Sequence, residues 1–200
     1  GGMSNRNFRV TLGSDDYVLR VPGIGADGMV ERRNEEINSL LGCKIGVNPE
    51  IIYFNSETGV KLAAFIKNAE TLNSATVQRS ENMRNVVRIL RTLHNSNVRL
   101  NNEFNIFHEI EKYERLMKDA GGVMYAGWED VRERVMSLEG YLNDVLGVVL
   151  CPCHNDLVAE NFIKDENGKM YLIDWEYSGI NDPMADLGAL FLESRFTEDN

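Results

Sequence analysis

The sequence predicts an α+β fold in two lobes, a small β-rich one followed by a larger, mainly helical one. Three observations carry this expectation. About the first 70 residues read as two strand pairs around one helix, and from Ser80 onward the apolar period becomes helical. The chain has 200 residues, 43% hydrophobic and 26% charged, which suffices for one domain or for two small lobes sharing a site.

The elements come in order along the chain. Phe8 to Leu12 alternates, Gly13-Ser14-Asp15-Asp16 supplies turn chemistry, and Tyr17 to Val21 runs extended into Pro22-Gly23, which is a hairpin signature. Glu31 to Leu41 reads as a helix with Ile37, Leu40 and Leu41 on one face. Ile51 to Phe54, a polar turn at Asn55 to Gly59, and Val60 to Ile66 make a second hairpin. A polar hinge comes next between Lys67 and Asn73, so the lobes are expected at 1–70 and 71–200. Met83, Val86, Val87, Leu90 and Leu93 mark a helix that stops at Asn95. Phe104, Phe107, Ile110 and Met117 mark another, and Trp128 through Val145 a third. After Gly147 come short apolar pieces at 148–150, 161–163 and 171–173, then a last helix from Asp186 to Phe196.

Charge narrows the function. Lys and Arg number 21 against 31 Asp and Glu, a net −10 with a pI near 4.8. Such a field repels a polyanion and attracts small cations, so a nucleic-acid partner is not expected. No run of about 18 apolar residues is present to span a membrane, and no membrane partner is expected. Cys43, Cys151 and Cys153 cannot all pair with one another, and the i,i+2 spacing of the last two disfavours a mutual disulfide; a reduced, cytoplasmic setting fits.

The strongest chemical signal is Cys153-His154-Asn155-Asp156-Leu157-Val158-Ala159-Glu160-Asn161, with a hairpin and Ile173-Asp174-Trp175-Glu176-Tyr177 after it. Asp156 and Asn161 lie in a loop between apolar segments, and Asp174 comes after a hydrophobic run that can end a buried strand. Two carboxylates and an amide oxygen suit a hard cation such as Mg²⁺. One carboxylate can be left to accept a proton from an attacking hydroxyl, as phosphoryl transfer requires. Taken singly, these residues read more readily as an Asx turn and a strand end; their joint spacing is what points to chemistry. Cys151, Cys153 and His154 offer three zinc ligands in C-x-C-H, but no fourth lies at conventional spacing. His154 reads instead as a buried brace, and His94 and His108 as surface or packing residues.

On H-N-D-x-x-x-x-N followed by I-D-W-E, the sequence resembles the choline kinase branch of the aminoglycoside phosphotransferase and protein-kinase-like families, bacterial choline kinases above all. The resemblance covers nearly the whole chain and is strongest from His154 to Glu193. It implies a protein-kinase-like, two-lobed fold and ATP-dependent phosphorylation of choline to phosphocholine, feeding surface polysaccharide decoration. Ethanolamine, thiamine or an aminoglycoside as acceptor, or a non-catalytic nucleotide-binding pseudokinase, are the alternatives.

Site roles come from the same resemblance. Asp156 matches the catalytic base, and Asn161 and Asp174 match the Mg²⁺ ligands. Asp186, in Asn181-Asp182-Pro183-Met184-Ala185-Asp186-Leu187, matches a brace of the catalytic loop. Gly1-Gly2-Met3-Ser4-Asn5 can offer backbone N–H groups to phosphate or be a tag remnant; the resemblance favours a nucleotide loop with Gly2, Ser4 and Asn5. In that case a strand precedes Gly1 and helices succeed Asn200. Arg20 takes the place of the phosphate-contacting lysine of many relatives, with Glu35 on the next helix orienting it. Adenine is expected against Phe65 to Ala69. Trp175, Tyr177 and Glu193 match the acceptor pocket, where aromatic faces and a carboxylate hold a quaternary ammonium. Val158 departs from the glutamine that eukaryotic relatives carry there.

Overall fold

A computed structural model describes residues 5–23 and 30–197. β1 (Asn5–Leu12) and β2 (Asp15–Pro22) pair antiparallel with Leu12 opposite Asp15, so the turn uses only Gly13 and Ser14. Gly13 has φ 65°, where side chains are disfavoured. Asp16, expected in the turn, joins β2 because its carboxylate accepts from Arg9 and Thr11 across the pair. β4 (Lys61–Ala64) pairs with the other edge of β2, and β3 (Ile51–Phe54) pairs with β4, giving the order β1-β2-β4-β3. That register sets Arg20 opposite Lys61.

The helix between the hairpins, α1 (Arg32–Lys44), turns inward a face that apolar periodicity does not predict. Its buried residues are Glu35, Asn38, Ser39 and Gly42, whereas Leu40 is exposed. Polar and small groups face inward because each meets a specific partner. Asn38 Nδ2 donates to the Ser178 carbonyl at 3.1 Å, and its Oδ1 accepts from the Asn101 amide at 2.9 Å. Gly42 leaves room for the ring of Trp175.

The stretch expected as a plain hinge holds β5 (Glu70–Thr71), two residues that pair with β7 (Phe162–Lys164) and are too few to show a period. β7 pairs in turn with β8 (Met170–Leu172). Asn73 caps α2 (Ser74–Val77), accepting from the Ala75 and Thr76 amides. α3 (Ser80–His94) ends at Asn95 as expected and buries Val86, Leu90 and Leu93 against Leu72, Phe162 and Leu172. β6 (Cys151–Cys153) pairs antiparallel with β9 (Gly179–Asn181), and α6 (Pro183–Glu193) starts at its proline behind an Asp182 cap. α3 and α6 both lie against β6.

The chain divides into two compact units, Gly1–Glu103 with Cys151–Asn200, and Phe104–Leu150. The smaller unit holds α4 (Ile106–Asp119), capped by Asn105, and α5 (Trp128–Gly140). Glu114 on α4 accepts from Trp128 Nε1 at 2.8 Å and Arg132 Nε at 2.7 Å on α5. The third helix expected to run to Val145 changes at Tyr141–Leu146 into a π-helical turn, and Gly147 with φ 61° ends it.

Gly42 tests the packing of α1. A Cβ there would lie 2.5 Å from the Trp175 ring. Gly42→Ala is expected to lower stability by about 1–2 kcal/mol, because overpacking outweighs the roughly 1 kcal/mol that alanine gains in a helix. Urea unfolding checks this; an unchanged midpoint would mean that the ring yields.

Candidate active site

A buried charge network ties β2, α1 and the segment after Asp174 together. Arg20 donates to both oxygens of Glu35, at 2.5 and 2.8 Å, with both side chains at most 5% exposed. Lys61 Nζ reaches Glu35 at 3.0 Å, and Glu176 accepts from Arg20 at 3.3 Å, Arg32 at 2.9 Å and Asn5 Nδ2 at 2.8 Å. Burial works against the charge on Glu35, but Lys61 and Arg20 outweigh it and hold its carboxyl below the usual range.

The loop from His154 to Asn161 is held from behind. Asp186, fully buried on α6, accepts the backbone N–H of His154 at 3.0 Å and of Asn155 at 2.7 Å, while His94 Nε2 lies 2.8 Å from it. Asn155 adopts φ 65°, tolerated by asparagine; its amide donates to the Tyr177 carbonyl and accepts from Asn181. His154 is fully enclosed, and burial keeps its imidazole neutral, so Nε2–H donates to the Ile173 carbonyl at 2.9 Å. These bonds settle the position of the next residue, Asp156. Asn161 Nδ2 donates to the Asp156 carbonyl at 2.8 Å and to Oδ2 at 3.1 Å. Its own carbonyl accepts from the Ile173 amide at 2.9 Å, which joins this loop to the one carrying Asp174.

Asp174 stands at φ 66°, a strained position for a non-glycine residue. It lines a cavity of about 730 Å³ with Asn5, Arg20, Lys61 and the backbone segment Phe65 to Ala69, floored by Ile163 and Ile173. Burial first, then the nearby Glu176 charge, push its carboxyl up to about 6, against the opposing pull of Lys61. A carboxylate so placed favours a cation beside it. Asn161 engages its nitrogen with Asp156, which leaves Oδ1 as a neutral oxygen donor. Carboxylate and amide oxygens form the all-oxygen set that suits Mg²⁺, so the residues present fit that ion.

The family model for choline/ethanolamine kinases matches residues 1–199. The chain belongs to the choline/ethanolamine kinase family. It is 30% identical over 201 residues to Protein LicA of Haemophilus influenzae, covering all of this chain and 58% of that protein. The chain thus spans little more than half the length of that relative. The crystal structure of choline kinase LicA from Streptococcus pneumoniae matches at 42% identity and TM-score 0.89, over all of this chain and 69% of that one. LicA in complex with AMP matches at 41% and 0.86, over all of this chain and 68% of that one. The fold is therefore the protein-kinase-like α+β fold of these kinases.

Within that family fold, the expected site residues fall into three groups. Asp156, Asn161 and Asp174 stand on adjoining loops; Asn5 and Arg20 both donate to Glu176, and Glu35 joins them through Arg20. Gly2 and Ser4 lie outside the described residues. Trp175 does not line an acceptor surface: its indole is 1% exposed, donates to the Leu172 carbonyl and packs edge-on against His154, because its ring fills the core over Gly42. Tyr177 is half-buried and Glu193 is exposed in the last turn of α6. Sequence reasoning misses Arg32, Lys61 and His94 as partners. Arg32 has a signal, standing one turn before Glu35; Lys61 needs the β2–β4 register, and His94 lies 92 residues from Asp186 with none.

The raised Asp174 carboxyl has a consequence for stability. Between the ordinary aspartate range near 4 and about 6, the folded chain binds more protons than the unfolded one, so stability falls as pH rises through that window. In metal-free buffer, Asp174→Asn should raise the melting temperature at pH 7 and lose that advantage below pH 4. Thermal scans across pH measure it; an equal offset at both ends would place the cause elsewhere.

Proposed function

We propose that this chain carries the catalytic machinery for ATP-dependent phosphorylation of choline, releasing phosphocholine and ADP. The observation that carries the reading is the Asp174 carboxyl, facing the same cavity as Arg20 and Lys61 and adjoining the Asp156 loop. AMP bound to a LicA relative supports a nucleotide in that cavity, with adenine against Phe65 to Ala69. Lobes at 1–70 and 71–200 fit this reading.

Each residue then has a defined task. Asn161 pins Asp156 Oδ2, and Oδ1 of Asp156 remains to accept the proton of the attacking hydroxyl. Arg20, held flat by Glu35, presents fixed positive charge to phosphate oxygens, and Asn5 carries the start of β1 to that place. Asn161 and Asp174 would hold Mg²⁺, which when bound neutralises charge on the phosphates. Tyr177 and Glu193 are proposed to recognise the quaternary ammonium, and the net charge of −10 favours its approach. The three unpaired cysteines are consistent with a cytoplasmic setting, and phosphocholine for surface polysaccharide is the proposed use of the product.

Substitutions at two positions test the assignment. Asp156→Asn should keep fold and nucleotide affinity while lowering turnover on the order of 10²–10⁴-fold in a choline-dependent ADP-release assay. A variant that keeps most of its rate removes Asp156 as the base. Tyr177→Ala should raise the choline KM by roughly 2- to 30-fold with the ATP KM little changed, and Tyr177→Phe should be much milder. If the choline KM stays put, or ethanolamine is the better substrate of the unaltered protein, the ammonium pocket lies elsewhere.

A further inference from the structure

The C-x-C pair on β6 lacks a fourth metal ligand nearby in the sequence, but the fold supplies donors from two distant segments. His94 Nε2 from the end of α3, Cys153 Sγ from β6 and a carboxylate oxygen of Asp186 from α6 all lie within 4.8 Å of one another. Cys151 Sγ stands 3.8 Å from Cys153 Sγ, because residues two apart on a strand share a face. Cys153 and Asp186 are fully buried and His94 nearly so, while Cys151 is half-buried and gives an approach from solvent.

We infer that Cys151, Cys153, His94 and Asp186 form a binding site for one thiophilic divalent cation such as Zn²⁺, behind the Asp156 loop. Two sulfurs, one imidazole nitrogen and one carboxylate oxygen are a donor set that zinc takes in tetrahedral geometry. Mg²⁺ disfavours it, so the site is chemically separate from Asn161 and Asp174. On binding, both thiols give up their protons to solvent, His94 moves the proton that Nε2 donates to Asp186 over to Nδ1 and coordinates through the freed Nε2, and Asp186 enters as the anion. Burial and the nearby Asp186 charge push the Cys153 thiol up, so this proton loss occurs only with the cation in place.

The site has a consequence for the loop. Donors on one tetrahedral zinc, with bonds of about 2.0–2.3 Å, lie roughly 3.3–3.8 Å apart. The His94–Asp186 pair, now 2.8 Å apart, must therefore spread. Asp186 is also the acceptor for the His154 and Asn155 amides, so the movement reaches the loop that carries Asp156. Its effect on catalysis rests on the kinase reading; binding does not.

Cobalt(II) titration of the reduced full chain, with an added chelator control, reads the site directly. One equivalent should give a thiolate-to-cobalt charge-transfer band together with the visible bands of tetrahedral cobalt, and Zn²⁺ should displace it. Cys153→Ser should abolish the band. Cys151→Ser, at a half-buried position that keeps the fold, and His94→Gln should each weaken binding by more than about tenfold. Cys43→Ser should leave it unchanged. Hydrogen exchange of the His154 and Asn155 amides should change on loading. Absence of the charge-transfer band, its survival in Cys153→Ser, or its loss in Cys43→Ser overturns the site. Unaltered exchange at full occupancy overturns its link to the loop.

Discussion

The buried pair of Arg20 and Glu35 is the constraint on which the β-rich part of the molecule turns. Two opposite charges removed from water cost several kcal/mol each unless every lone pair and N–H finds a partner. Here Lys61, Arg32 and Glu176 meet most of that requirement, leaving Arg20 Nε and one Arg32 nitrogen without a hydrogen bond, so the sheet, α1 and the segment after Asp174 must sit where these groups meet. The geometry asks for an arginine at position 20. A lysine would carry the charge but could not grip both oxygens of Glu35 in one plane.

A second carboxylate, Asp186, does for the Asp156 loop what Glu35 does for β2. By accepting two consecutive backbone amides it fixes a loop whose asparagine already stands in left-handed backbone. Both devices place a buried charged group behind the residues proposed to react, and Asp174 lines the cavity. The strain at Asp174 has the same origin: the surrounding bonds hold a conformation that the residue would leave if free.

Much of this is legible in the residues. Strand alternation, the α3 period and the Asp156–Asn161–Asp174 spacing all have direct sequence signatures, and the Arg20–Glu35 pairing comes from the family resemblance. The features that escape have a common physical cause. Apolar periodicity assumes that a helix buries its oily side, so it turns α1 the wrong way round, toward Ile37, Leu40 and Leu41. Trp175, beside Asp174, looks like a binding aromatic, but the missing Cβ at Gly42 admits its ring to the core. The partnership of His94 with Asp186 joins residues far apart in the chain, and no local pattern encodes it. Short elements such as β5 exist only through their pairing.

The inward face of α1 also bears on how the chain can change. Glu35, Asn38 and Gly42 recur one turn apart, and each meets a partner that accepts no substitute by sliding. Each residue added to or removed from a helix rotates the residues beyond it by about 100°. A single insertion between Glu35 and Asn38 would therefore unseat the later contacts while leaving Glu35 in place, stranding Asn38 among donors and acceptors it no longer meets. The exposed tip of the second hairpin at Glu57 and Thr58 carries no such burden, although Gly59 just behind it accepts from Arg20. Length variation among relatives should accordingly collect at hairpin tips and stay out of α1, whatever its residues do.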